Sequence, residues 1–407
     1  MPENSSDMEP MHAPDRMSAT PTQDAPRRNS QSFTNKVRQK GLSGFIYELF
    51  SVTRSTFEFV SIIAVLGVIS WLVVPYPTLA RWFGFMLAGY STIANDSIQT
   101  LGTFIASNAK RKWWYLWLFI GFILIATIGY SWVVHGGDVS YQRLVEKGFE
   151  EAPQTFSFLQ IFAPTILLIL TKLRIPVSTS FLLLSVFTTE SGAIYQVVQK
   201  SLYGYSIAFV IALFFWYPFS KATGKYFKTR PWKGWVGIQW CTSGLLWSAW
   251  LMQDASNIAI FLPRALCLVE FLLFTGLLFG GLGVLFYLKG DKMQQLVNQK
   301  VGITDIRAAT LVSFVYMLIL VYFKNVNHIP ISTTWVFIGL LGGREIAISL
   351  AREPTARPKA FSKSLQLIRR DLLYALAGLL ISISLAVLAN PVMQKTIQTW
   401  LRCVWPG

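Results

Sequence analysis

The chain has 407 residues, of which 53% are hydrophobic and only 14% charged, and its mean hydropathy is +0.45. Those values lie outside the range of soluble domains and read as an integral membrane protein. The formal net charge of +16 does not point to nucleic acid, because the basic residues are spread over loops instead of being gathered on one domain. Three cysteines, Cys241, Cys267 and Cys403, exclude a disulfide framework and show no metal spacing, and no nucleophile or zinc constellation suggests an enzyme.

Residues 1–45 are polar and without apolar periodicity up to Ser30, then basic at Lys36, Arg38 and Lys40. This reads as a disordered cytoplasmic tail and not as a signal peptide, since no short apolar core follows a basic start. Segments able to cross roughly 30 Å of hydrocarbon follow at 57–74, 82–106, 113–134, 203–219, 236–262, 267–287 and 372–389, with a C-terminal tail at 390–407. Residues 157–189 and 308–350 are each too long for one crossing. They are interrupted by Arg174-Ile175-Pro176 and by Asn327-His328-Ile329-Pro330. Each reads as two half-helices meeting at a break, which a membrane tolerates only where the freed backbone groups face protein or water.

Basic loops orient these segments. Lys110-Arg111-Lys112, the run from Lys221 to Lys233, Lys289 to Lys300 and the run from Arg352 to Arg370 belong inside by the positive-inside rule, while the acidic loop 135–154 falls outside. With the N-terminus cytoplasmic, 82–106 descends and 236–262 ascends. The chain then divides into an extra helix at 57–74 and two transport repeats, 82–219 and 236–389. Each repeat runs as polar segment, crossing, broken re-entrant hairpin, crossing, and the second is upside down relative to the first. The expected fold is an all-α polytopic membrane protein with an inverted-topology repeat.

Both repeats carry the same pair of motifs. Asn95-Asp96-Ser97-Ile98-Gln99 precedes Pro176-Val177-Ser178-Thr179-Ser180, with 80 residues from Asp96 to Pro176, and Gln253-Asp254-Ala255-Ser256-Asn257 precedes Pro330-Ile331-Ser332-Thr333-Thr334, with 76 from Asp254 to Pro330. A carboxylate inside a membrane segment costs several kcal/mol, about 2.5–3.5 by insertion scales, unless it lines a polar cavity. Two at matching places read as halves of one ion or solute site, the mark of a secondary transporter.

These four motifs in order resemble those of the inorganic phosphate transporter (PiT) family of cation-coupled phosphate symporters, over about residues 82–389. The resemblance implies symport of inorganic phosphate with sodium or a proton, no other cofactor, and a multi-pass protein of the lipid bilayer. The substrate ligands it implies are Ser178, Thr179, Ser332, Thr333 and Thr334, at the starts of half-helices where unpaired N–H groups and the helix dipole favour an anion. The implied cation ligands are Asn95, Asp96, Gln99, Gln253, Asp254 and Asn257. The sequence departs from the family where Gln99 and Gln253 replace asparagine, where Ile260 stands opposite Gly102, and where Phe181 and Trp335 lie near the place of a histidine.

Other readings stay open. The serines and threonines would equally satisfy the broken backbone, and the aspartates would cap helix ends. Arg174, Glu190 and Glu345 are gate or pairing candidates; Glu190 and Glu345 follow their prolines by 14 and 15 residues, yet Arg344 makes an ion pair with Glu345 just as natural. Another oxyanion such as sulfate, or a transport-inactive sensor or scaffold using the tail, are the competing functions. Short loops and the absence of an organellar signal suggest a bacterial inner membrane. Either sodium or a proton fits this reading as the coupled ion, and a homo-oligomer is compatible with it.

Overall fold

Helix is the only regular structure among the described residues of the computed structural model, as hydrocarbon demands of a chain that must satisfy its own N–H and C=O groups. The structure describes residues 42–173, 175–188, 193–223, 231–287, 305–325 and 331–392, with 394, 395 and 398. In chain order the helices are α1 Leu42–Val73, α2 Pro77–Thr100, α3 Gly102–Ser107, α4 Trp113–Val134, α5 Arg143–Glu146, α6 Phe158–Lys172, α7 Ala193–Thr223, α8 Trp235–Ala259, α9 Leu268–Tyr287, α10 Ile306–Asn325, α11 Thr333–Leu350 and α12 Arg357–Ala389, with a π-helical turn at Ser180–Leu184. The chain divides into two units, residues 1–63 and 64–407, and the packing described below is that of the second.

Five stretches are long and apolar enough to cross a bilayer: Trp113–Val134, Ser201–Lys221, Leu268–Tyr287, Ile306–Lys324 and Arg357–Ala389. Their outward faces carry large apolar side chains such as Phe122 (69% exposed), Phe214 (73%) and Leu380 (65%). On a helix of this length such a surface is suited to lipid and costly in water. The protein is an integral membrane protein. Helices α2 and α8 are long enough to cross but fall outside this apolar set, because both give up apolar residues for the polar motifs and bury those motifs against other helices.

Several elements differ from the expected bounds. Helix α1 starts at Leu42, within the segment expected as tail, and α12 starts at Arg357 where the apolar run starts at 372. Hydropathy marks the hydrocarbon depth of a helix, whereas its hydrogen bonds continue into the polar zone. The expected crossing 82–106 is α2 plus α3, joined at Leu101, whose N–H still reaches Ser97 O at 2.8 Å. The second limb of the first interrupted segment is shorter than expected, a single π-helical turn. Its carbonyls find side chains instead of a further helical turn: the Ser185 hydroxyl donates to Phe181 O, and the Asn390 amide donates to Ser185 O (3.3 Å) and Thr188 O (2.6 Å). The second interrupted segment has two long limbs, α10 and α11, and its break at residues 326–330, with His328 and Pro330, lies outside the described residues.

Among the described residues helices α7 and α11 share the most extensive contact, and glycine lets their backbones approach. A methyl group at Gly339 or Gly343 would run into the carbonyl oxygens of Tyr205 and Phe209 respectively, so this small-xxx-small stripe lets the two backbones meet. Gly378 does the same for α12, where a methyl group would lie 2.8 Å from Pro176 O. We expect Gly343→Ala to destabilise the protein by about 1–3 kcal/mol through forced separation of α7 and α11. Gly237→Ala, in an α8 position with nothing within 4 Å of the added group, should be neutral or mildly stabilising. Thermal unfolding of the two purified variants in detergent checks the contrast.

Candidate functional site

Helices α2 and α8 each place their motif on a buried face, since residues one, two and five of the motif lie within a turn of each other. Asn95, Asp96 and Gln99 are 5%, 0% and 8% exposed, and Gln253, Asp254 and Asn257 are 2%, 1% and 0%. Asp96 Oδ1 accepts hydrogen bonds from Asn95 Nδ2 (2.7 Å) and Gln99 Nε2 (3.4 Å), and Oδ2 accepts from Thr179 Oγ1 (3.1 Å). Asp254 Oδ1 accepts from Asn257 Nδ2 (2.8 Å) and Ser180 Oγ (3.4 Å), and Oδ2 accepts from Thr333 Oγ1 (2.7 Å). Each aspartate is therefore held by amides of its own helix and by a threonine from a helix break.

The two sets join. The Asn257 amide also reaches Thr179 Oγ1 (3.2 Å) and Ser180 Oγ (2.9 Å), so hydrogen bonds run from Asp96 through Thr179 and Asn257 to Asp254. That amide has two hydrogens for three oxygens, and its bonds are shared. On the other side, Val177 O accepts from Asn95 Nδ2 (2.9 Å) and Thr334 Oγ1 (3.2 Å), while Gln99 Nε2 reaches Thr334 Oγ1 at 3.2 Å. The carbonyl freed by the first break is thus satisfied from α2 and α11, which ties both motif pairs into one buried network. Tyr316 of α10 donates to Thr333 O (3.0 Å), and Thr171 of α6 donates to Asn95 Oδ1 (3.2 Å).

Not every predicted residue has the expected place. Ser178 and Ser332 act locally: their hydroxyls accept from Phe181 N (3.3 Å) and Trp335 N (3.4 Å), the pattern of a helix N-cap. The hydroxyls that face the aspartates belong to the next residues, Thr179 and Thr333. Gln253 turns from Asp254 to the backbone, donating to Leu320 O at 2.8 Å. Glu345 pairs with Arg344 at 2.6 Å, away from the network. Arg174 and Glu190 lie outside the described residues.

Two basic residues absent from the expected site reach it. The loop after α4 folds inward, and its short helix α5 carries Arg143, 1% exposed, whose Nη2 lies 3.4 Å from Gln253 Oε1 and whose Nη1 pairs with Glu146 at 2.9 Å. Lys147 closes that helix; its Nζ donates to Ser256 Oγ (2.8 Å) and to Asn257 Oδ1 (3.5 Å). Lys147 is half-buried as a residue, with its amino group among the buried polar side chains of α8. Burial pushes its ammonium down to about 7; Arg143 adds to this, while Asp254 and Glu146 oppose it. The loop's acidic excess concealed this pair. The available signal was Arg143 and Lys147 four residues apart between Tyr141 and Phe149, which places both on one side of a helical turn.

Several buried polar atoms of α2 and α8 have no hydrogen-bond partner: Thr92 Oγ1, Ser97 Oγ, Gln99 Oε1, Ser243 Oγ, Trp247 Nε1 and Trp250 Nε1. The polar atoms of the network are carboxylate, amide and hydroxyl groups, and among the described residues there is no cluster of three or more His, Cys, Asp or Glu that could hold a metal ion. No protein-family model, curated protein or solved structure matches the chain. Asn257→Ala would strip donors from Asp254 and Thr179 at once. We expect a loss of about 1–3 kcal/mol, and the Asn257→Ala/Asp254→Asn pair should cost less than the sum of the singles, as thermal unfolding in detergent would show.

Proposed function

We propose that the chain is a secondary active transporter, a cation-coupled symporter of inorganic phosphate resembling the PiT family, working through inverted halves at 82–219 and 236–389. The observation that carries this reading is the repeated bond from the first threonine of a broken segment to a buried aspartate, Thr179 to Asp96 and Thr333 to Asp254, with Asn257 linking the two.

The physics of such a site suits symport. Two ionised aspartates so close in a low-dielectric interior repel each other and are costly to desolvate. A bound cation relieves both costs and creates local positive charge for an anion. Phosphate must shed water, so it needs donors already held in place; Thr179, Thr333 and Thr334 hold hydroxyls at helix starts, where a dipole favours an anion, and a cation at the aspartates would free the hydrogens that Thr179 and Thr333 now donate to Asp96 and Asp254. Entry of an anion against a negative interior is opposed by about 2.3 kcal/mol per charge per 100 mV. Co-entering sodium ions or protons remove that opposition. The unpartnered polar atoms on α2 and α8 supply further capacity for a hydrated solute.

The test is uptake of radiolabelled phosphate into proteoliposomes under an inward sodium or proton gradient. Uptake driven by one gradient is expected, falling about tenfold or more in Asp96→Asn and in Asp254→Asn, the scale of a charge-assisted hydrogen bond worth about 1.5–3 kcal/mol. Competition by sulfate with equal strength would change the solute and keep the mechanism. Folded protein that takes up neither anion under either gradient would overturn the reading.

A further inference from the structure

The loop after α4 is built to deliver a side chain. Tyr141 and Gln142 both sit at positive φ, 55° and 58°, a backbone region that costs non-glycine residues about 1–3 kcal/mol each unless the surroundings hold it. Here they do. Asp138 accepts from Ser140 N (3.0 Å), Ser140 Oγ (2.7 Å) and Gln142 N (2.5 Å), Tyr141 N donates to Ser131 Oγ (3.0 Å), and the Tyr141 hydroxyl donates to Thr127 O (2.5 Å). After this turn α5 makes one turn of helix and stops at Gly148, φ 82°, with Gly148 N bonded to Val145 O (2.9 Å) and Phe149 N to Leu144 O (2.8 Å). That pair of bonds is the Schellman stop that fixes the helix C-cap, and the C-cap is Lys147. Arg264 anchors the exit by donating to Phe149 O (2.9 Å) and Glu151 O (2.7 Å).

What Lys147 meets is the polar stretch around Asp254. Its amino group donates to Ser256 Oγ and Asn257 Oδ1, and Asn257 in turn donates through Nδ2 to Asp254 Oδ1. The charged groups acting on Lys147 are Arg143, Asp254, Glu146 and Lys324, and those acting on Asp254 include Lys147 and Arg143. Asp96 differs: its acting charge is Asp254, and its partners are neutral amides and a hydroxyl. A hard cation shared by Asp254 and Asn257 would need Asn257 Oδ1, which here accepts from Lys147 Nζ (3.5 Å) and from Ser180 Oγ (3.1 Å), the hydroxyl that also reaches Asp254 Oδ1 (3.4 Å).

We propose that Lys147 is a built-in cation for the second half of the site, occupying the oxygens beside Asp254 so that this half takes no free monovalent cation and exchange is confined to the Asp96 half. The inference rests on reading the two aspartates as a cation site, and it adds an asymmetry that lowers the number of exchangeable cations.

The experiment measures cation binding and not transport. Purified full-length protein in detergent is unfolded thermally while sodium chloride replaces choline chloride at constant ionic strength, at about pH 6, below the value to which burial pushes Lys147. Lys147→Met should gain a saturable, sodium-dependent rise in unfolding temperature of several degrees beyond that of the wild type. Lys147→Met/Asp254→Asn should lose the gain, and Lys147→Arg should behave as wild type. Lys147→Gln, which keeps an amide donor but carries no charge, should show the same gain, and it repeats the test if Lys147→Met does not fold. A sodium response identical to the wild type in both Lys147→Met and Lys147→Gln overturns the proposal. So does a Lys147→Met protein that loses only phosphate-dependent stabilisation, which would make the lysine an anion ligand. A new sodium site in Lys147→Met, from a wild type that takes up no phosphate, would keep this inference and sink the symport reading.

Discussion

Asp96 and Asp254 are carboxylates removed from water inside a helical membrane protein, and the rest of the architecture answers to that constraint. Desolvating one ionised group costs several kcal/mol even after relaxation, so each oxygen must find donors at fixed positions. Each aspartate receives amides from its own helix and a threonine from elsewhere in the chain. A straight membrane helix can supply the first kind of partner but not the second, because its backbone groups are spent within the helix. The broken segments supply the second kind and in turn leave carbonyls such as Val177 O that only side chains can satisfy. Asn95 and Thr334 do so. Carboxylates and breaks therefore stabilise each other.

Such a network works only if the helices around it are held at fixed spacing. The glycine contacts of Gly339 and Gly343 against α7, and of Gly378 against the first break, bring backbones together where lipid offers no hydrophobic drive for helices to associate. The break at Pro176 is clamped from behind by α12 while its forward side faces α2. This geometry sets where Thr179 stands relative to Asp96.

The loop 135–149 adds a charge that the two recurring sequence motifs do not by themselves dictate. Its strained turn, its αL stop and the anchor from Arg264 all act to seat Arg143 and Lys147 on α8. Backbone strain of this kind persists only where the surroundings over-determine it. Here the surroundings include Asp138, Ser131 and Thr127, none of which touches the site itself. The consequence is an electrostatic difference between the two aspartates within one network.

Much of this was legible in the residues taken in order. Apolar runs of crossing length, the interruption at Pro176, and the repeated Asp and Ser-Thr motifs follow from local rules, because hydrophobic length, proline geometry and the cost of a buried carboxylate do not depend on distant partners. The sequence by itself determined an all-helical membrane chain and singled out Asn95, Asp96, Thr179, Asp254, Asn257 and Thr333 as residues the network uses. It could not tell Thr179 from Ser178, since capping and binding hydroxyls are the same chemistry until the helix start is fixed in space. Nor could it foresee Gln253 turning to Leu320 O, the short π-helical limb, or Lys147 entering from an acidic loop. Those were decided by tertiary structure alone, because which donor meets which acceptor depends on how helices far apart in the chain pack.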